Sequence, residues 1–153
     1  MIKNLISKFF IFTFILFIFP SCLPAVKRSN QVCFHQKCVN VEAVQKPQEL
    51  MRGLQFRKSL GREDGMLFIF STSGPYSFWM KDTLIPLDMI WMDYARRVIY
   101  IASSVPPCTG DSCPQYTPMG NALYILEVNG GYTNQNNIKI GDEAQFHLRE
   151  KAF

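Results

Sequence analysis

Two carboxylates stand inside apolar runs of this chain: Asp88 in Leu87-Asp88-Met89-Ile90-Trp91, and Glu127 in Leu123-Tyr124-Ile125-Leu126-Glu127-Val128. With the two-residue period of a strand, Asp88 shares a face with Ile90 and Met92, and Glu127 shares one with Leu123 and Ile125. Burial disfavours the charged form of a carboxyl, so either acid can reach a raised pKa suited to proton transfer. Facing each other across a cleft, Asp88 and Glu127 would form the acid/base pair of a small glycosidase-like hydrolase. The structural alternative is that each is held by Arg52, Arg57 or Lys81, or by backbone N–H groups of the loop after Thr83. A buried charge needs such a partner in any fold.

A second group of residues is suited to binding. Trp79 is one of only 2 tryptophans and stands beside Lys81 and Asp82, with Tyr76 and Phe78 before it and Tyr116 further on. Aromatic faces receive sugars and other flat ligands, and Lys81 and Asp82 would orient them by hydrogen bonds. The alternative is that Trp79 is a core residue. Met51, Met66, Met80, Met89, Met92 and Met119, with His35 and the cysteines, are soft ligands of the kind copper(I) takes. They are not clustered, and methionine commonly fills core gaps, so no metal site is expected. His147 alternates with Phe146 and Leu148 and is expected to face solvent. No histidine has a serine or cysteine partner for a nucleophilic triad. No phosphate-binding glycine loop or dinucleotide fingerprint appears either, so no cofactor is expected.

The cysteines and the N-terminus bear on location. Phe9 to Phe19 is apolar except for Thr13, follows the basic Lys3 and Lys8, and ends in Pro20-Ser21-Cys22. A bilayer-spanning helix needs roughly 20 apolar residues, so this run is short for one and suits a signal-peptide core. A small residue directly before Cys22 looks like a lipoprotein processing site, with residues 1–21 removed and Cys22 lipidated. Phe19 and Pro20 are atypical there, and the alternatives are cleavage nearby or an uncleaved anchor. The other four cysteines form two C-x4-C pairs, Cys33 with Cys38 and Cys108 with Cys113. In an oxidising compartment these read first as disulfides, in a hairpin and a loop, although four cysteines permit three connectivities. A four-thiolate zinc site and free or redox-active thiols are the other readings.

Removing residues 1–21 from the 153 leaves 132, enough for one domain with a real core. Lys3 and Lys8 leave with the signal and no acid does, so the formal charge falls from +4 to +2. No basic run with interleaved aromatics occurs, and nucleic acid is not an expected partner.

These residues have to be positioned by a β-rich scaffold. Residues 22–38 read as a tether carrying the first cysteine pair, and 39–153 as a single domain. Val39 to Ala43 alternates as a strand, and Pro47 opens a short helix expected to run to Phe56, with Leu50, Met51 and Leu54 as its buried stripe. Met66 to Phe70 is a central strand and Ser71 to Pro75 a turn. Leu87 to Met92 and Val98 to Ala102 flank a hairpin turn at Asp93–Arg97. Val105 to Met119 carries four prolines and the second cysteine pair, and reads as a long functional loop. Ala122 to Val128 and Glu143 to Leu148 are further strands. Short strands punctuated by Gly and Pro argue a mostly β fold, a β-sandwich, jelly roll or barrel with one short helix.

The segment Phe78-Trp79-Met80-Lys81-Asp82-Thr83-Leu84-Ile85-Pro86-Leu87-Asp88 resembles the central motif of the domain of unknown function 192 family, with Asp82 where asparagine is common. Arg52-Gly53-Leu54-Gln55-Phe56-Arg57 is similar to the family's opening helix motif, with Gln55 in place of methionine. Gly65-Met66-Leu67-Phe68, Pro107-Cys108, Cys113-Pro114, Leu126-Glu127 and Ile138-Lys139-Ile140-Gly141-Asp142 extend the likeness over Val39 to Leu148. The resemblance implies a compact, mostly β domain of sandwich or jelly-roll type. The family has no agreed activity, so no catalytic or binding residues come with it. The leading expectation is an exported, lipid-anchored ligand-binding or accessory module of the cell envelope. Its surface would be Trp79, Lys81, Asp82 and the Cys108–Met119 loop, and its ligand a carbohydrate or another envelope component. The rivals are the Asp88/Glu127 hydrolase and a purely structural envelope protein.

Overall fold

The computed structural model describes residues 29–149, so the signal segment 1–21 and Cys22 lie outside the described residues. The strands are β1 (Gln31–Phe34), β2 (Lys37–Val44), β3 (Asp64–Gly74), β4 (Phe78–Trp79), β5 (Leu87–Met92), β6 (Val98–Val105), β7 (Gln115–Tyr116), β8 (Ala122–Asn129) and β9 (Gln145–His147), with two short helices, α1 (Pro47–Arg52) and α2 (Tyr132–Gln135). Seven strands form one sheet in the order β6-β5-β8-β3-β2-β1-β9, and β4 pairs with β7 in a separate ribbon. The sheet is antiparallel except for β2 and β3, which run parallel with α1 in the connection between them. The expectation of a mostly β domain with a short helix holds, and the sheet curls into a half-barrel. The curl is tied where the start of β6 meets the segment before β9: Val98 N–H donates to the Asp142 carbonyl, and Gly141 N–H to the Val98 carbonyl, each at 2.8 Å.

Both faces of the sheet are covered, which is why β5 is buried along its whole length and apolar except for Asp88. Ile90 and Met92 pack with Phe34, Leu67, Leu126, Val128 and Ile138 on one face. Leu87, Met89 and Trp91 pack with Leu54, Phe68, Met80 and Ile125 on the other. Trp91 is fully buried, its indole N–H donating to the Tyr76 carbonyl at 2.8 Å, and it is the tryptophan of the core.

Several boundaries differ from the expected ones. Cys33 and Cys38 pair across the β1–β2 hairpin as the Cys33–Cys38 disulfide, so the first cysteine pair sits in the sheet, while residues 22–28 of the expected tether lie outside the described residues. The helix that Pro47 opens stops at Arg52, because Gly53 caps it at φ 48°. Leu54 is buried beyond it, but Met51 is 80% exposed, so the expected buried stripe is not made. β3 continues through the predicted turn at Ser71, because Gly74 still pairs with Ala122. The Asp93–Arg97 turn is formed, with Arg96 at positive φ. In the long loop Cys108 and Cys113 are bonded, and Gln115–Tyr116 leaves it to pair with β4.

Candidate functional site

The register of the central strands decides what the two buried acids can do. Asp88 lies opposite Val128, and Glu127 opposite Met89. Cross-strand partners share a face and successive residues alternate, so Asp88 and Glu127 point to opposite faces of the sheet. The expected acid/base pair across one cleft is therefore not formed.

Asp88 is wholly buried and fully engaged. Its Oδ1 accepts from the N–H groups of Ser104 at 2.6 Å and Gly131 at 2.8 Å, and its Oδ2 from the Thr133 N–H at 2.7 Å and Oγ1–H at 2.6 Å. The first donor exists because the β5–β6 register shifts between Leu87 and Met89, placing Ser104 at φ 50° with its N–H turned inward. The others come from Gly131, in the turn between β8 and α2, and from Thr133 in α2 itself, not from the loop after Thr83. Four donors hold this carboxylate to a structural task, fastening β6 and α2 to the sheet.

Glu127 is the opposite case. It is 5% exposed, and its Oε2 has no hydrogen-bond partner among the described residues. Burial pushes its carboxyl from 4.5 up to about 8. Met66 and Met89 are its cross-strand neighbours, and neither can solvate a charge. Arg57, one of its expected partners, is instead committed to Glu42, donating to both carboxylate oxygens. That pair holds the Glu42 carboxyl below the usual glutamate range.

Glu127 lines a cavity of about 350 Å³. One wall is Leu50 to Gln55, from α1 and the residues after it, and includes Arg52. The other is aromatic: Phe68 and Phe70 from β3, Tyr76 from the connection, and Phe78 and Trp79 from β4, with Ser77, Thr83 and Gln115 as polar points. Gly53 keeps the space open, since a Cβ there would stand 3.2 Å from the Phe68 ring and 3.8 Å from Glu127 Oε2. Phe70 stacks on Tyr76 at 3.6 Å between centroids, and Phe78 meets Phe68 edge-on at 4.8 Å, so the wall is a packed unit. A largely apolar, ring-lined hollow with a few polar groups is the usual form of a small-ligand site.

Of the residues expected to bind, Trp79 lines the cavity and is 47% exposed. Tyr116 opposes Phe78 in the β4–β7 ribbon, leaving its neighbour Gln115 on the cavity. Lys81 and Asp82 stand outside the lining, and what they contribute is backbone. Asp82 turns at φ 56°, a conformation Asp and Asn tolerate better than most residues. Its N–H donates to the Cys108 carbonyl at 3.0 Å and its carbonyl accepts from Phe56 N–H at 2.8 Å. This stitches the second disulfide loop to the chain after α1. Arg52, Gly53, Gln55, Phe68, Phe70 and Gln115 were not foreseen as site residues. The one sequence signal was the glycine directly after Arg52.

No helix among the described residues is long and apolar enough to cross a membrane. The two disulfides, Cys33–Cys38 and Cys108–Cys113, fit an oxidising extracellular or periplasmic environment.

Comparison with solved structures finds the same fold in a protein of unknown function from Novosphingobium aromaticivorans, 33% identical, with a TM-score of 0.69 over 76% of this chain and 82% of that one. A proposed transcription regulator from Sinorhizobium meliloti, 24% identical, superposes with a TM-score of 0.67 over 76% of this chain and 91% of that one, a likeness of fold alone. No curated protein matches the chain. The model of the DUF192 family, an uncharacterized ACR, matches residues 29–146, and the chain belongs to that family.

Proposed function

We propose that this protein is a small-ligand-binding module of the cell envelope, with its site in the aromatic cavity that ends on Glu127. The observation that carries this reading is a glutamate in the lining of an open, ring-lined hollow whose buried Oε2 has no partner among the described residues. A fold gains nothing from desolvating a carboxyl and leaving it unpaired, whereas a ligand that reaches it would supply the missing hydrogen bond. Binding is favoured over hydrolysis because, among the described residues, the cavity is lined by a single carboxyl and by no histidine or cysteine. Asp88 cannot assist from the other face. A carbohydrate ring or another flat envelope component fits the aromatic wall, with Trp79 at the rim.

The location is part of the proposal. The apolar run Phe9–Phe19 and the Ser21-Cys22 junction support export and lipid attachment at Cys22, and disulfides persist where such chains mature. Mass measurement of the membrane-extracted chain should find a lipidated Cys22 at its N-terminus, and Cys22→Ser should release the protein. An unmodified N-terminus upstream of Cys22 would refute the anchor.

Ligand-detected NMR with a defined panel of small ring compounds (monosaccharides, aromatic alcohols, amides and amines) tests the site. Some members should bind the native chain and lose affinity with Trp79→Ala and with Glu127→Gln. A panel without binders, or binders indifferent to both changes, would overturn the reading.

A further inference from the structure

One face of the sheet carries two glutamates in unlike circumstances. Met66 lies opposite Glu42 on one side and opposite Glu127 on the other, so all three share a row. Glu42 is met by the Arg57 guanidinium at both oxygens. Glu127 has no such partner, and no ion pair among the described residues involves it. Among the described residues, Arg52 is the cavity's one cationic lining residue, is exposed, and forms no ion pair with a carboxylate. The site is built like an ion pair from which the positive half is missing.

Resting on the ligand-site reading above, we propose that the cavity selects ligands bearing a basic nitrogen, which enters past the rings of Phe78 and Trp79 and meets Glu127 Oε2 as its counter-ion. Three properties of the site converge on that chemistry. The unpartnered oxygen lacks a donor, and a protonated amine, guanidine or imidazole is the donor that also brings the missing charge. Aromatic walls favour a cation within about 6 Å of a ring, an attraction that strengthens away from water. The volume of about 350 Å³ admits a small molecule and excludes a folded partner. Arg52 is exposed, so water and salt screen its repulsion of a cation.

Such binding exchanges a proton. Glu127 enters the complex as a carboxylate, its proton goes to solvent, and the ligand keeps its own. The elements around Glu127 leave few other groups to titrate. β3 presents Met66 and Phe68, and β5 presents Met89. Among the described residues, the titratable side chains lining the cavity besides Glu127 are Arg52 and Tyr76, whose hydroxyl donates to the Thr72 carbonyl at 2.6 Å.

Benzylamine and benzyl alcohol, similar in shape and different in charge, form the test, titrated calorimetrically into the full chain at pH 6 and pH 8. The amine should bind more tightly than the alcohol at pH 8, by about tenfold or more. With Glu127 ionising at about 8, amine affinity should rise about 50-fold from pH 6 to pH 8, and alcohol affinity should stay level. Glu127→Gln should erase both the preference and the slope while the alcohol still binds. Equal affinity for the two compounds, or a preference that survives Glu127→Gln, overturns this inference and leaves the ligand site standing. Failure of both compounds to bind the native chain overturns both readings.

Discussion

Replacing Glu127 by glutamine should stabilise the protein, by an amount that grows with pH. Burial raises the carboxyl from 4.5 to about 8 in the folded chain. Between those values the folded protein holds a proton that the unfolded chain has released. Stability changes with pH in proportion to protons bound unfolded minus protons bound folded, a negative difference here, so stability falls as pH rises. The contribution is fully present below 4.5, declines through the interval, and is gone above the folded value. Integrating the two ionisations puts the loss at about 1 kcal/mol by pH 5, about 3 kcal/mol by pH 7 and about 5 kcal/mol by pH 9. Glutamine keeps the shape and does not ionise, so its advantage over the native residue should widen in those steps. Urea unfolding of both proteins at the three pH values measures the gap directly. A gap that is constant with pH would mean that Glu127 titrates as an ordinary surface carboxyl. A gap of the opposite sign would mean that an internal cation holds it, and the case for a missing ligand charge would collapse with it. The expected widening would mark Glu127 as a residue the fold would be more stable without, as is common for binding groups.

Three further outcomes are expected. Trp91→Ala should cost about 3–5 kcal/mol of stability, because it empties a fully buried ring site, whereas Trp79→Ala at a half-exposed rim should cost under about 1 kcal/mol and act on ligand affinity; paired denaturation curves distinguish them. Asp88→Asn should lower the melting temperature and destabilise by about 3 kcal/mol or more, since an amide turns a donor toward a nest of four donors; a variant with an unchanged melting temperature would contradict its structural role. Opening Cys108–Cys113, which spans a sequence separation of 5, should remove about 2 kcal/mol of loop constraint and loosen β7 beside the cavity; mass spectrometry without reductant checks the bond, and ligand affinity with and without reductant checks its consequence.

Much of the scaffold was legible because its signals are local. Apolar runs with β-branched and aromatic residues announced β3, β5 and β8, Pro47 announced α1, and the two C-x4-C spacings announced short clips. The buried state of Asp88 and Glu127 was legible too, from their apolar neighbours. Their mutual geometry was not. Alternation tells which residues of one strand share a face, but the parity between β5 and β8 depends on register, and a slip of one residue would have put both acids on the same side. The donors to Asp88 were equally hidden, because a bulge that turns Ser104 inward leaves no mark in Ala102-Ser103-Ser104-Val105. Choosing between the tryptophans needed tertiary structure as well, since each lies in an apolar stretch and only packing makes Trp91 core and Trp79 rim. The cavity itself depends on Gly53, whose missing side chain leaves the space between Phe68 and Glu127 that no periodicity reports.

The most direct test of the ligand site is a crystal structure of the protein with benzylamine at pH 8. The account predicts electron density for the ligand in the aromatic cavity, its nitrogen within hydrogen-bond distance of Glu127 Oε2 and its ring against Phe78 and Trp79. A cavity left empty at saturating benzylamine, with Glu127 turned onto Arg52 or another protein donor, would contradict it.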